Sequence, residues 1–226
     1  MTDVEFFFDP SCPWTWVTSR WLATVAPERQ LAVTWRPWSL PIKNEGRELP
    51  PSMPAELRER ILAGQRFSVR ALRVLAAAGD QAGNEARGRL YTEMGRRFHG
   101  EGEGGRGGAA DADAVIGEAL AAAGLPAELA DAGADEGWDE TLRDNMKEVG
   151  AEIGDEVGVP IVAIRADGRL RAISGPIMAE VPPDERALAL WDAVATVVGE
   201  PVAFELKRHR TGHPTPPRLD TDGRVA

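Results

Sequence analysis

Residues 4–26 read VEFFFDPSCPWTWVTSRWLATVA: an apolar run of strand length, a short polar joint, then an amphipathic run. Val4 to Phe8 predicts a buried strand. Val17, Trp21, Leu22 and Val25 recur at helical spacing and predict a helix over about 13–26. Cys12, the only cysteine in 226 residues, falls at the junction. Pro13 is pre-set for the first helical turn, because its fixed φ suits that position and its missing N–H is not needed there. A thiol at this point meets backbone N–H groups that have no helical acceptor, and the positive end of the helix dipole. Both favour thiolate over thiol, and the thiolate is the nucleophile. Cys12 is therefore the candidate reactive group, with Ser11 and the hydroxyl of Thr15 as candidate donors that hold it ionised.

Downstream, Leu31, Val33 and Trp35 alternate with Ala32, Thr34 and Arg36, the period of a strand. Strand, helix and strand make one βαβ unit, whose right-handed crossover predicts parallel strands. Pro41 and ELPPSMP (48–54) then break the chain. From about 54 to 155 the apolar spacing is helical. Leu57, Ile61 and Leu62 open one helix, which Val69, Leu72, Val74 and Leu75 carry toward Gly79. Leu90, Met94 and Phe98 mark a second; Val115, Ile116 and Leu120 mark a third, stopped at Gly124. A short helix over Pro126–Ala132 precedes a long one holding Trp138, Leu142, Met146, Val149 and Ile153. Strand pattern returns at Pro160–Ile164 and Leu170–Ile173, on either side of the hairpin signal Asp167-Gly168. Asp184 caps a final helix with Leu188, Trp191, Val194 and Val198 on its apolar stripe. The expected organisation is an α/β domain from 1–45 and 156–206, an inserted helical domain over 46–155, and a polar, proline-rich tail, 207–226, that reads as mobile.

Composition narrows the function. A net charge of −10 argues against a nucleic-acid or anionic-membrane partner. One cysteine excludes an intramolecular disulfide. The N-terminus enters its first strand without a basic region or cleavage site, and no apolar run reaches membrane-spanning length, so a cytoplasmic location is expected. No histidine has metal-ligand spacing with Cys12, so no metal is expected. GEGEGG (100–105) formally matches GxGxxG. It follows a helix rather than a strand, and its glutamates repel a pyrophosphate, so it reads as a loop of a lid over the site. KRHR (207–210) reads as a solvated basic run or a contact with an acidic neighbouring subunit, which leaves a homodimer open.

DPSCPWTW after a first strand resembles the thioredoxin-like superfamily in its DsbA-type branch. FDPSCPWTWVTSRW (8–21), WSLPIKNEGRELP (38–50), LYTEMGRRFHGEG (90–102), AAAGLPAELADA (121–132), VGVP (157–160) and FELKR (204–208) are similar to the actinobacterial mycothiol-dependent nitroreductases. The resemblance implies an α/β thioredoxin-like fold with a helical domain inserted after the second strand. It implies a thiol-dependent oxidoreductase acting on disulfides or nitroaromatic compounds, with mycothiol or another low-molecular-weight thiol as co-substrate. The usual pattern is CPWCW, and Thr15 stands where the second cysteine belongs. A hydroxyl cannot resolve a mixed disulfide, so an external thiol must release Cys12, a monothiol mechanism. The kappa-class glutathione transferases and chromene-carboxylate isomerases offer a rival, in which the protein activates a bound thiol. A redox-responsive binding protein without turnover is a third reading.

By the same resemblance Val159-Pro160 is a cis-proline loop facing Cys12, and Val159 pairs with substrate as an added strand. Trp14 stacks on a flat substrate or packs in the core. Asn44 lines a cleft or simply turns the KNEG stretch. His99 assists a leaving thiol or sits at a helix C-terminus against the dipole. The substrate-binding set is thus Pro13, Trp14, Asn44, His99, Val159 and Pro160, around the catalytic pair Cys12 and Thr15.

Overall fold

The computed structural model describes residues 2–100, 111–166 and 168–226. Its elements run β1 (Thr2–Phe8), α1 (Pro13–Glu28), β2 (Leu31–Pro37), α2 (Leu40–Lys43), α3 (Ala55–Phe98), α4 (Ala112–Ala122), a 3-10 helix (Ala127–Ala134), α5 (Trp138–Ile153), β3 (Ile161–Ala166), β4 (Arg169–Ser174) and α6 (Asp184–Gly199). The chain divides into two compact units. One takes residues 1–8, 12–36 and 147–226; the other takes 9–11 and 37–146.

The first unit holds a four-stranded sheet in the order β2-β1-β3-β4. β1 runs antiparallel to β3, with Phe6 opposite Val162, and β3 runs antiparallel to β4, with Ala163 opposite Ala172. β1 is buried on both faces from Val4 to Phe8, which is why Phe6, Phe7 and Phe8 follow one another without alternation. Phe6 and Phe8 share one face and both meet the Trp35 ring edge-on. α1 buries Val17, Trp21, Leu22 and Val25, and α6 buries Ala187, Trp191, Val194 and Val198. The two helices meet where the Trp21 indole N–H donates to the Ala187 carbonyl at 3.0 Å, with the Trp21 and Trp191 rings 5.9 Å apart. β3 and β4 pair up to Ala166 opposite Arg169, and Gly168 in the connection has a φ of +73°. Asp167 of that hairpin signal, and residues 101–105 of GEGEGG, lie outside the described residues.

One polar group sits inside β1. Glu5 is 7% exposed and is met by Arg165 from β3 at 2.6 Å and Arg36 from β2 at 3.3 Å. Glu148 of α5 pairs with both arginines. Two cations and two carboxylates thus close a ring across three strands and a helix, so the carboxylate interrupting the apolar run is neutralised where it lies.

The second unit is helical. Gly83, with φ +85°, breaks α3 into two segments. The apolar spacing predicts a stop at Gly79, but the helix passes through it. At Gly79 the Arg87 side chain lies close over the helix and reaches back to the Leu75 carbonyl, so a Cβ there would make the guanidinium move. α4 ends as its glycine predicts, with Gly124 at φ +67° and the Leu125 N–H returning to the Leu120 carbonyl at 2.9 Å. Leu72, Ala76 and Leu142 form a core against which Ile42 and Trp138 pack. Arg73 of α3 holds Asp139 of α5 through two bonds, 2.7 and 2.9 Å, and the guanidinium keeps that carboxyl below its ordinary value.

The sequence predicts a mobile tail over 207–226. It lacks regular elements, yet Leu219 is buried, the Thr215 N–H donates to the Ala179 carbonyl at 2.7 Å, and Asp220 organises a turn by accepting from the Asp222 and Arg224 N–H groups. The reason lies on α1. Arg20 is 1% exposed; its guanidinium stacks 4.4 Å from the Trp16 ring centroid and donates to the Gly223 carbonyl at 3.0 Å. A buried cation needs acceptors, and the tail supplies one. Arg20→Ala should lower stability by about 2–4 kcal/mol and open the chain after Arg208 or Arg210 to trypsin. Denaturant unfolding and limited proteolysis check this; a tail as protected as in the native protein would refute the anchoring role.

Candidate active site

Cys12 caps α1. Its backbone is extended (φ −84°, ψ 113°), its carbonyl accepts the Trp16 N–H at 3.0 Å, and Pro13 opens the helix. Pro13 has no N–H, so Trp14 and Thr15 supply the N–H groups of the first turn, which have no acceptor within the helix. No acidic side chain lies in that turn to oppose an anion. Cys12 and Trp14 are half-buried, so the thiol is within reach of a small reactant.

The two side chains expected to donate to the thiolate do otherwise. Thr15 is fully buried and its hydroxyl has no hydrogen-bond partner, so the expected Thr15–Cys12 bond is not made. The helix turns this side chain into the protein, as it would the second cysteine of a CxxC pair. Ser11 gives its hydroxyl to Asp9 Oδ1 at 2.7 Å.

Val159-Pro160 leads into β3 in the same unit, and the bond is cis. Val159 is buried. The Pro160 carbonyl accepts the Gly175 N–H at 2.8 Å, and Gly175-Pro176 is a second cis bond. The Pro176 carbonyl accepts the Thr18 hydroxyl at 2.8 Å, and that hydroxyl also reaches the Trp14 carbonyl at 3.1 Å. A chain of bonds thus runs from the Pro160 turn to the first turns of α1. Thr18 and Pro176 were not singled out in the sequence. The GP dipeptide marks a turn at Pro176; nothing marks Thr18, whose partner is 158 residues away.

Asn44 and His99 belong to the second unit. Asn44 is the C-cap of α2: its N–H donates to the Leu40 carbonyl at 3.0 Å and its carbonyl accepts the Arg47 N–H at 2.9 Å. The backbone thus shows the turn residue, one of the two readings of this position. His99 is the C-cap of α3, and its Nε2 lies 2.8 Å from the Pro10 carbonyl, two residues before Cys12. A carbonyl only accepts, so Nε2 carries the proton. Desolvation of the ring outweighs this bond and lowers the pKa from 6.5 to about 4. The imidazole is therefore neutral near pH 7 and holds the loop, whereas a proton donor to a leaving thiol needs a higher value.

The strongest polar centre near the cysteine in the chain is Asp9. It is fully buried, and its two oxygens accept four bonds: Ser11 N–H at 2.8 Å, Ser11 hydroxyl at 2.7 Å, Leu40 N–H at 2.8 Å and Ser68 hydroxyl at 2.7 Å. Burial raises its pKa above the usual carboxylate value, and these bonds oppose the rise. Asp9 followed by Pro10 and Ser11 is an Asx turn that its sequence could have signalled; Ser68, 59 residues on, could not. Among the described residues no group of histidine, cysteine, aspartate or glutamate could hold a metal ion, and no helix is long and apolar enough to cross a membrane.

Two measurements test this geometry. Asp9→Ala strands the Leu40 N–H and the Ser68 hydroxyl, and should cost about 2–4 kcal/mol by denaturant unfolding; a loss below ~0.5 kcal/mol would show that the carboxylate holds nothing. For His99 the folded pKa lies below the unfolded one, so its contribution is complete above pH 6.5 and is lost as pH falls toward about 4. Between pH 7 and pH 5 the native protein should lose roughly 2 kcal/mol that His99→Gln does not. Equal losses in the two proteins would show that His99 titrates normally.

Known proteins place this geometry. Protein Rv2286c of Mycobacterium tuberculosis, described as uncharacterized, is 25% identical over 218 residues, 93% of this chain and 84% of that one. The solved "probable DsbA oxidoreductase SCO1869" of Streptomyces coelicolor is similar with a TM-score of 0.55 and 22% identity, over 93% of this chain and 95% of its own. Cytosolic disulfide reductase DsbM of Pseudomonas aeruginosa is similar with a TM-score of 0.53 and 20% identity, over 86% of this chain and 99% of its own. The DsbM structure with GSH gives 0.52 and 19%, over the same shares. These likenesses establish the DsbA-type thioredoxin fold, a mixed sheet with a helical region after its first strands. Residues 11–208 match the Rv2466c-like model, described as mycothiol-dependent nitroreductase Rv2466c, so the chain belongs to that family and is a thiol-dependent oxidoreductase of DsbA-like fold.

Proposed function

We propose that the protein is a monothiol oxidoreductase in which Cys12 exchanges with disulfides and an external low-molecular-weight thiol, mycothiol by its family, returns it to the thiolate. The observation that carries this is Cys12 at the N-cap of α1, with the chain's only thiol on one side of a turn and the buried hydroxyl of Thr15 on the other. In the first step the Cys12 thiolate attacks a disulfide; one sulfur joins Cys12 and the other leaves as thiolate. In the second step a free thiol, deprotonated, attacks the mixed disulfide and leaves as a new disulfide, restoring Cys12. One such cycle turns a disulfide and a thiol into a mixed disulfide and a released thiol; a second thiol attacks that mixed disulfide in a further exchange, so that two thiols are oxidised for each disulfide fully reduced. The family description, a nitroreductase, supports nitro compounds as a second class of oxidant. That DsbM has been solved with GSH supports a small thiol as co-substrate on this fold.

In this reading the first-turn N–H groups of α1 stabilise the Cys12 thiolate. Trp14 and the Val159-Pro160 turn position the partner sulfur. Asp9 and His99 are positioning residues that hold the loop before the thiol. Thr15 is the residue that prevents internal resolution. A cytoplasmic setting, where a reducing thiol is abundant, suits this reading, and the similar fold of the cytosolic disulfide reductase DsbM supports it.

Intact mass tests this. Mycothiol disulfide should add one mycothiol to the native protein, and excess mycothiol should remove it; Cys12→Ser should take no adduct and lose all turnover. Retained turnover in Cys12→Ser would transfer the chemistry to a bound thiol and overturn the proposal. Thr15→Cys should convert the adduct into an internal disulfide with no added thiol, leaving the protein two mass units lighter than its reduced form, as a C-x-x-C pair permits. A stable adduct on Thr15→Cys would show that position 15 cannot reach the sulfur.

A further inference from the structure

The family match ends at residue 208, within the basic run KRHR (207–210), and the proposed function leaves that run and the segment after it unused. That segment returns to the cysteine's helix. The Arg210 guanidinium lies over the Trp14 ring, 5.2 Å from its centroid. It is held there from the far side, by the Thr215 N–H on the Ala179 carbonyl at 2.7 Å and by buried Arg20 on the Gly223 carbonyl. Trp14 is two residues from Cys12 and is half-buried, while Arg210 is exposed. A flat cation stacked on an indole is oriented by the ring and keeps its N–H fork for a planar anion. On a chain with a net charge of −10, a cation stacked on the tryptophan two positions after Cys12 counts against a background that repels anions.

We propose that Arg210 is a specificity-determining residue that makes Cys12 prefer an anionic aromatic oxidant, one whose ring meets Trp14 and whose carboxylate meets the guanidinium. This rests on Cys12 being the nucleophile, and it names the class of the oxidised substrate, not of the reducing thiol. The bidentate match of guanidinium and carboxylate supplies the recognition. The chemistry is the exchange already described: the Cys12 thiolate takes one sulfur of an aromatic disulfide, and one aryl thiolate leaves.

The test compares two aromatic disulfides, dianionic dithiobis(nitrobenzoate) and neutral dithiodipyridine, by the rate of coloured thiolate release from the full chain. Only Cys12 can react, because it is the only cysteine. Taking the ratio of the two rates cancels any change in the thiolate fraction. Arg210→Gln should lower the anionic-to-neutral ratio about three- to fivefold at low salt, and Arg210→Lys should restore part of it. Added salt should erase the difference between the native protein and Arg210→Gln. An unchanged ratio would overturn the proposal, and so would a rise of both rates together, since the tail would then only shield the thiol. If the folded native protein reacts with neither reagent, the monothiol function itself fails; a reactive Cys12 with a ratio indifferent to Arg210 removes this inference alone.

Discussion

A buried carboxylate held by four neutral donors organises the turn between β1 and Cys12. Asp9 follows the last residue of β1 and precedes Cys12 by three positions. It cannot be solvated, so it must be satisfied by donors, and it takes them from its own turn, from α2 and from α3. The loop before the thiol is consequently defined by residues remote in the sequence. His99 adds a bond to the Pro10 carbonyl from the end of α3, and its lowered pKa keeps it a neutral donor there. The turn from Asp9 to Ser11 is thus fixed within its own unit by groups whose only chemical task is to be bonded.

Much of the fold was legible because burial has a period. The apolar run of β1 and the helical spacing of α1, α4 and α6 reflect which faces are covered, and the return of strand pattern near 160 marks β3 and β4. What escaped was long-range or steric. Gly79 and Gly83 are equally plausible helix stops by residue type; only the backbone shows that the chain turns at Gly83, where φ is +85°, and runs on as helix through Gly79. The composition of the tail suggested solvent, and the acceptor need of Arg20, a cation on a helix otherwise facing inward, was the missing clue.

The site was partly legible. The strand-Cys-Pro-helix joint located Cys12 and the orientation of its turn without further information. Polar partners were harder, because a hydroxyl near a sulfur in sequence need not point to it. Ser11 turns back to Asp9, and Thr15 faces inward without a partner. Asn44 was read as cleft or turn, and its backbone is a helix cap. These are competitions between nearby acceptors, and burial decides each one.

The Arg20–Gly223 bond also carries a timetable. The two residues are 203 positions apart. At the usual pace of synthesis, roughly 10–40 s separate them on the ribosome. During that interval α1 exists with a guanidinium meant for the interior and without the carbonyl that receives it. The helix carrying Cys12 therefore reaches its final environment only after Gly223 has been made, and until then its thiol belongs to an unfinished surface.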